Sequence, residues 1–174
     1  LPFTVYEVVR LGLSAGIEAG QIDLVPVALE RVGLAGFEGR VFQELSGGEQ
    51  QRAQLARVLV QVWSPMVAGT PCWLFLDEPV ASLDSGQQLE VMSLCRTYAQ
   101  DGGVVVAVMH DLNLTSMFAD SIAMLHRGQL MAQGKANEVL TDTLLSEAYG
   151  CQLRVNAIPD GDGTFVLPHT ASLK

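Results

Sequence analysis

Apolar positions in the first third of the chain recur at helical spacing. Thr4-x-x-Glu7 is a pairing in which the hydroxyl and the carboxylate each satisfy an orphan amide at a helix start, and it predicts a helix running to about Ser14. Ile22 to Val32 repeats the spacing and stops at Gly33, which predicts a second helix. Ala35 to Glu44 connects it to a third, which is opened by Ser46-x-x-Glu49, carried through Val58 and Val62, and ended by Ser64-Pro65.

After Pro65 the pattern changes. Trp73 to Leu76, Val104 to Met109 and Ile122 to Leu125 are short apolar runs without polar alternation, which predicts strands buried on both faces of a sheet. Helices predicted over Ser85 to Ala99 and Asn113 to Phe118 lie between them, so strand and helix alternate as in a parallel α/β sheet. Arg127-Gly128 reads as a turn into a further strand, Gln129 to Gln133, making a hairpin with Ile122 to Leu125. Val139 to Tyr149 is expected to be one helix. Val155 to Val166 is expected to form two short strands split by the turn cluster Pro159-Asp160-Gly161-Asp162-Gly163.

Composition narrows the function classes. With 174 residues, 49% hydrophobic and 17% charged, the chain can bury a real core and does not read as disordered. Its net charge of −9 works against a sequence-independent grip on nucleic acid, which needs lysine and arginine to displace counterions from phosphate, and against anionic lipid heads. The longest apolar run, Val104 to Met109, is far short of the roughly 20 residues that a membrane-spanning helix needs. No secretory-signal pattern opens the chain. Cys72, Cys95 and Cys151 are odd in number and widely spaced, which fits reduced cytosolic thiols better than a disulfide framework or a zinc site.

Candidate chemistry gathers at three places. Ser46-Gly47-Gly48 sits where the third helix begins, so amides uncrowded by Cβ atoms, a hydroxyl and the positive end of the helix dipole can face one anion. A plain capped helix start would use the same tripeptide; the full string Leu45-Ser46-Gly47-Gly48-Glu49-Gln50-Gln51-Arg52 favours the anion site. Asp77 and Glu78 end a buried strand, where ligands bind in open α/β sheets. Asp77 suits Mg²⁺, directly or through water, and Glu78 suits polarising an attacking water. The alternative is an acidic loop before a helix cap, and Pro79 with Ala81-Ser82-Leu83-Asp84 weighs against it. His110 ends the next strand, where its imidazole could reach a γ-phosphate or the water attacking it. His126 and His169 have no such neighbours and read as structural.

One element is missing from the sequence. No Gly-x-x-x-x-Gly-Lys-Ser/Thr loop occurs, and the only lysines are Lys135 and Lys174. Gly134-Lys135 is no substitute, because Gln129 stands where the first glycine belongs and Ala136 where the Mg²⁺-ligating hydroxyl belongs. It reads as a strand-to-helix turn.

In their order along the chain, these motifs resemble those of the ATP-binding-cassette (ABC) transporter ATPases. Leu45 to Arg52 is similar to the family's signature motif, Trp73 to Asp77 to its Walker B strand, Glu78 to its catalytic glutamate, Ala81 to Asp84 to its D-loop, and His110 to its switch histidine. Within the family the importers of heme, siderophores and cobalamin look closest, heme first, on the long segment Trp63 to Pro71 and the tail around Glu138-Val139-Leu140 and Tyr149-Gly150. Val80 departs from the usual threonine or serine, and Ala81-Ser82 inverts the commoner Ser-Ala order.

The resemblance implies a P-loop NTPase-like α/β core with a parallel sheet and an α-helical subdomain. The helical subdomain would cover residues 1–64 and the C-terminal part of the core 65–174. It implies ATP and Mg²⁺ as ligands, with Ser46, Gly47, Gly48, Gln50 and Asp84 binding nucleotide, Asp77 holding Mg²⁺, and Glu78 and His110 catalytic. It also implies a head-to-tail dimer with a second copy, transmembrane permease partners, and a peripheral place on the cytoplasmic face of the bacterial inner membrane. The family's adenine-stacking aromatic, Walker A loop and Q-loop would precede Leu1, so the chain by itself is expected to bind ATP poorly and not to hydrolyse it. A non-transport ABC protein on DNA or ribosomes is opposed by the acidic balance. A module that merely completes another chain's ATP site would tolerate Glu78→Gln.

Overall fold

A computed structural model describes residues 2–15 and 23–171. They fall into two compact units, one ending at Met109 and the other beginning at His110. Residues 47–59 and 73–77, on either side of the partition expected after residue 64, lie together in the first unit.

Local chemistry sets the helix starts of the first unit. Helix α1 (Val5–Ala15) opens on the expected box: the Thr4 amide donates to Glu7 Oε2 at 2.8 Å, and the Glu7 amide donates to Thr4 Oγ1 at 3.2 Å. Helix α2 (Val25–Arg31) begins after Asp23, whose Oδ1 accepts from the Val25 amide at 3.2 Å; the expected start at Ile22 lies outside the described residues. A 3-10 turn (Phe42–Glu44) leads into α3 (Gly47–Leu59), which tightens into 3-10 geometry over Val60–Val62. Both α1 and α2 pack on α3. Val5, Val9, Val25, Ala28, Leu29, Ala53 and Ala56 are buried, each large side chain worth about 1.5–3 kcal/mol relative to exposure.

A small hairpin, β1 (Met66–Val67) and β2 (Thr70–Pro71), follows, where the sequence suggested only a long connection. Ala68 and Gly69 both take positive φ, 49° and 78°, the left-handed pair that a two-residue hairpin turn needs. Strand β3 (Trp73–Asp77) then pairs in parallel with β4 (Val104–Val108), Trp73 opposite Val104 and Asp77 opposite Val108, with α4 (Ser85–Gln100) crossing between them. The expected burial on both faces is corrected here. Leu74 is 1% exposed, but Trp73 and Phe75 on the opposite face are 55% and 65% exposed, their rings stacked 5.9 Å apart. Val106 and Val108 of β4 are exposed too. An apolar run reports that a strand can be buried; covering each face takes a packed neighbour.

Burial also silences one thiol. Cys95 on α4 is pushed up to about 12 by desolvation, so it carries almost no thiolate at neutral pH, whereas Cys151 is exposed. Native alkylation with iodoacetamide at pH 8 is therefore expected to modify Cys151 first and Cys95 at least about 100-fold more slowly, read by peptide mass spectrometry. Equal rates would contradict the burial of α4's inner face.

In the second unit, α5 (Leu112–Phe118) precedes the antiparallel hairpin of β5 (Ile122–His126) and β6 (Gln129–Gly134), so among the described residues parallel pairing is confined to β3 and β4. The chain then enters α6 (Ala136–Val139) at Lys135, the strand-to-helix turn expected there. The single helix expected over Val139 to Tyr149 is corrected. The chain breaks after α6, and α7 (Asp142–Tyr149) restarts at Thr141, whose hydroxyl accepts from the Leu144 amide at 3.3 Å. No strand forms between Val155 and Val166. Side chains of α7 take nearby amides, Val155's by Asp142 Oδ1 at 2.7 Å and Leu153's by Ser146 Oγ at 3.0 Å, and Ile158 and Val166 stay exposed. A 3-10 turn (Pro168–Thr170) follows, and His169 Nε2 lies 3.0 Å from Ser116 Oγ on α5. Ile122, Met124, Val139, Leu140 and Leu145 form this unit's core. Among the described residues no helix is long and apolar enough to cross a membrane.

Candidate nucleotide site

The start of α3 is built by a reciprocal cap. The Ser46 amide donates to Glu49 Oε2 at 2.7 Å, and the Glu49 amide donates to Ser46 Oγ at 3.3 Å. Charge-assisted bonding to the Ser46 amide, then to its hydroxyl, holds the Glu49 carboxyl below its ordinary range. The Ser46 hydroxyl is shared with the Glu49 carboxylate, while the first-turn amides of Gly47 and Gly48 have no acceptor within the helix. Gln50 is more committed: its side-chain amide donates to the Leu45 carbonyl at 3.1 Å.

The chain after β3 folds back onto α3. An ideal Cβ on Gly48 would lie 3.1 Å from the Ser82 carbonyl oxygen and 3.4 Å from Leu83 Cδ2, so glycine there lets the helix start meet the Ala81 to Asp84 segment closely. Asp84 Oδ1 caps α4 by accepting from the Gln87 amide at 2.9 Å. Glu78 sits just past β3 at φ 46°, in the left-handed region that side chains rarely adopt. Its amide donates to the Val108 carbonyl at 3.0 Å. Asp77 is exposed at the strand's end. Among the described residues no three His, Cys, Asp or Glu side chains converge to hold a metal, so the chemistry available to Mg²⁺ is that of one or two carboxylates completed by water and phosphate oxygens.

The first unit thus brings Gly47 and Gly48, next to Ser46, against the segment that joins Asp77 and Glu78 to Asp84. His110 opens the second unit, where the neighbouring Asp111 caps α5 by accepting from the Asn113 and Leu114 amides at 2.8 and 2.9 Å. One residue of this constellation escaped the sequence reading. The Gln51 side-chain amide donates to the Glu78 carbonyl at 2.7 Å, and its oxygen accepts from the Ser82 amide at 3.0 Å. The only available hint was its place inside the glutamine-rich string.

No family model matches the chain. Curated proteins do. It is 62% identical over 170 residues to the hemin import ATP-binding protein HmuV of Jannaschia sp. (strain CCS1), 98% of this chain and 63% of that protein. The chain belongs to the ABC ATPase family. Proteins of the same name from Roseobacter denitrificans and Ruegeria sp. are 61% and 59% identical, again over 98% of the chain, and cover 66% and 65% of those relatives. The chain therefore spans less than two thirds of the length of these relatives. Solved structures agree on the ABC fold: the ADP conformation of MJ1267, an ATP-binding cassette of an ABC transporter, matches with a TM-score of 0.65 at 21% identity over 85% of this chain and 63% of that one. The cbiO1 protein of Clostridium perfringens, part of the cbiONQ transporter complex, matches with a TM-score of 0.61 at 24% identity over 84% and 57%.

Proposed function

We propose that this chain is part of the ATP-hydrolysing subunit of an ABC importer that moves hemin across the inner membrane. The observation that carries the substrate is the name, hemin import ATP-binding protein, shared by relatives 62%, 61% and 59% identical over 98% of the chain.

The residues fit the roles that this reading needs. Ser46, Gly47 and Gly48 would offer a hydroxyl and helix-start amides to the γ-phosphate of an ATP held by a second copy, and Gln50 would stand beside them. Amides alone leave that phosphate's charge incompletely neutralised, which favours a two-sided, head-to-tail site. On the other side, Asp77 would hold Mg²⁺, which when bound supplies charge neutralisation to the phosphates. Glu78 would orient and deprotonate the attacking water while the bond from the γ-phosphorus to the ADP oxygen breaks. His110 would stabilise the γ-phosphate, and Asp84 would meet the partner copy. Permease subunits in the membrane would anchor the assembly at its cytoplasmic face.

The test is uptake by proteoliposomes containing the full-length gene product and its permease, with Mg·ATP inside. Hemin accumulation is expected. Accumulation of a siderophore or cobalamin without hemin would move the assignment to those importers, and ATP hydrolysis without a permease partner would move it to a non-transport ABC protein.

A further inference from the structure

We infer that Gln51 is the positioning residue of Glu78, transmitting the placement of the α3 start to the carboxylate that would activate water. The inference rests on the proposed ATPase function and goes beyond it. Glu78 is held away from relaxed backbone geometry, at φ 46°. A non-glycine residue stays there only if its surroundings hold it. Its amide is fixed by the Val108 carbonyl of β4 at 3.0 Å, while its carbonyl accepts from the Ala81 amide at 3.3 Å and from Gln51 at 2.7 Å. Gln51 makes the shortest of these contacts. With its other end on the Ser82 amide at 3.0 Å, one half-buried carboxamide pins both the glutamate and the turn after it to α3.

The geometry has a functional direction. Gln51 lies one turn beyond Ser46 to Gly48, so a shift of the helix start on meeting a partner's phosphate would be carried through a rigid amide to the peptide of Glu78. The two ends of the amide are chemically distinct. Glutamate at this position could still accept from Ser82 but would set a carboxylate oxygen against the Glu78 carbonyl; alanine would lose both contacts.

The test is steady-state Mg·ATP hydrolysis by the full-length gene product with its permease, comparing wild type, Gln51→Glu and Gln51→Ala. Turnover is expressed per nucleotide-binding site, and the sites are counted by equilibrium ATP binding in each preparation. Both variants are expected to turn over about tenfold or more slowly per site, with KM for ATP within about twofold of wild type, the pattern of a misplaced reacting group. A merely structural role would reduce the number of binding sites and leave turnover per site unchanged; that result, or wild-type turnover in Gln51→Glu, would overturn the role of Gln51 alone. Inactive wild-type protein would remove the ATPase reading and this inference with it.

Discussion

Glu78→Gln in the full-length protein is expected to lower ATP turnover by at least about 100-fold while nucleotide binding persists, because the amide keeps the carboxylate's shape but cannot accept a proton from water. The two side chains are nearly isosteric, and the backbone clamp on Glu78, its amide to Val108 and its carbonyl to Gln51, involves no side-chain atom of residue 78. The substitution therefore tests the chemistry with little change to the fold. A coupled assay of hydrolysis, beside equilibrium binding of ATP, separates the two effects. Turnover at the wild-type rate would assign water activation to another group and would favour the reading in which this chain only completes a neighbour's site.

The second large effect concerns the helical part. Gly12→Ala is expected to destabilise the protein by about 3 kcal/mol or more, although alanine is the better helix former by about 1 kcal/mol. A Cβ at residue 12 would lie 2.0 Å from the Arg57 carbonyl oxygen and 2.6 Å from Val60 Cγ2, so α1 and the end of α3 would have to separate. The lost packing outweighs the gain in propensity, because close-packed interiors yield little. Gly39→Ala is the control, with nothing within 4 Å of its Cβ and an expected change within about 0.5 kcal/mol. Urea unfolding midpoints decide it, and equal midpoints for the two variants would mean that α1 does not approach α3 so closely.

Gly12 also illustrates what a sequence hides. In the string it is one small residue in an amphipathic helix, and only the position of Arg57 shows that nothing larger fits. Where the deciding chemistry is local, the sequence is legible: the caps at Thr4 and Ser46 join residues three positions apart and form as read. The class of each apolar run is legible as well, since β3, β4 and β5 all form. What the run cannot report is which of its faces meets a neighbour, and β3 turned out covered on its Leu74 side only. Capture of an amide by a distant side chain is equally silent in the string. Asp142 reaches Val155 thirteen residues on, which draws that amide away from the expected strand. Gln51 is the extreme case, because its partners stand 27 and 31 positions downstream. The roles proposed for Ser46, Asp77, Glu78, Asp84 and His110 come from motif order alone; the left-handed backbone at Glu78 had no precursor in the string.

The bare side of β3 gives the protein an optical property. Its two tryptophans sit in opposite surroundings: Trp63 is half-buried, with the Arg31 guanidinium 3.9 Å above its ring, while Trp73 stands 55% exposed beside Phe75. An indole in water emits further to the red than one enclosed by protein. The fluorescence of Trp73 is thus a native gauge of whatever settles on that side of the sheet, and Trp63 supplies an internal reference.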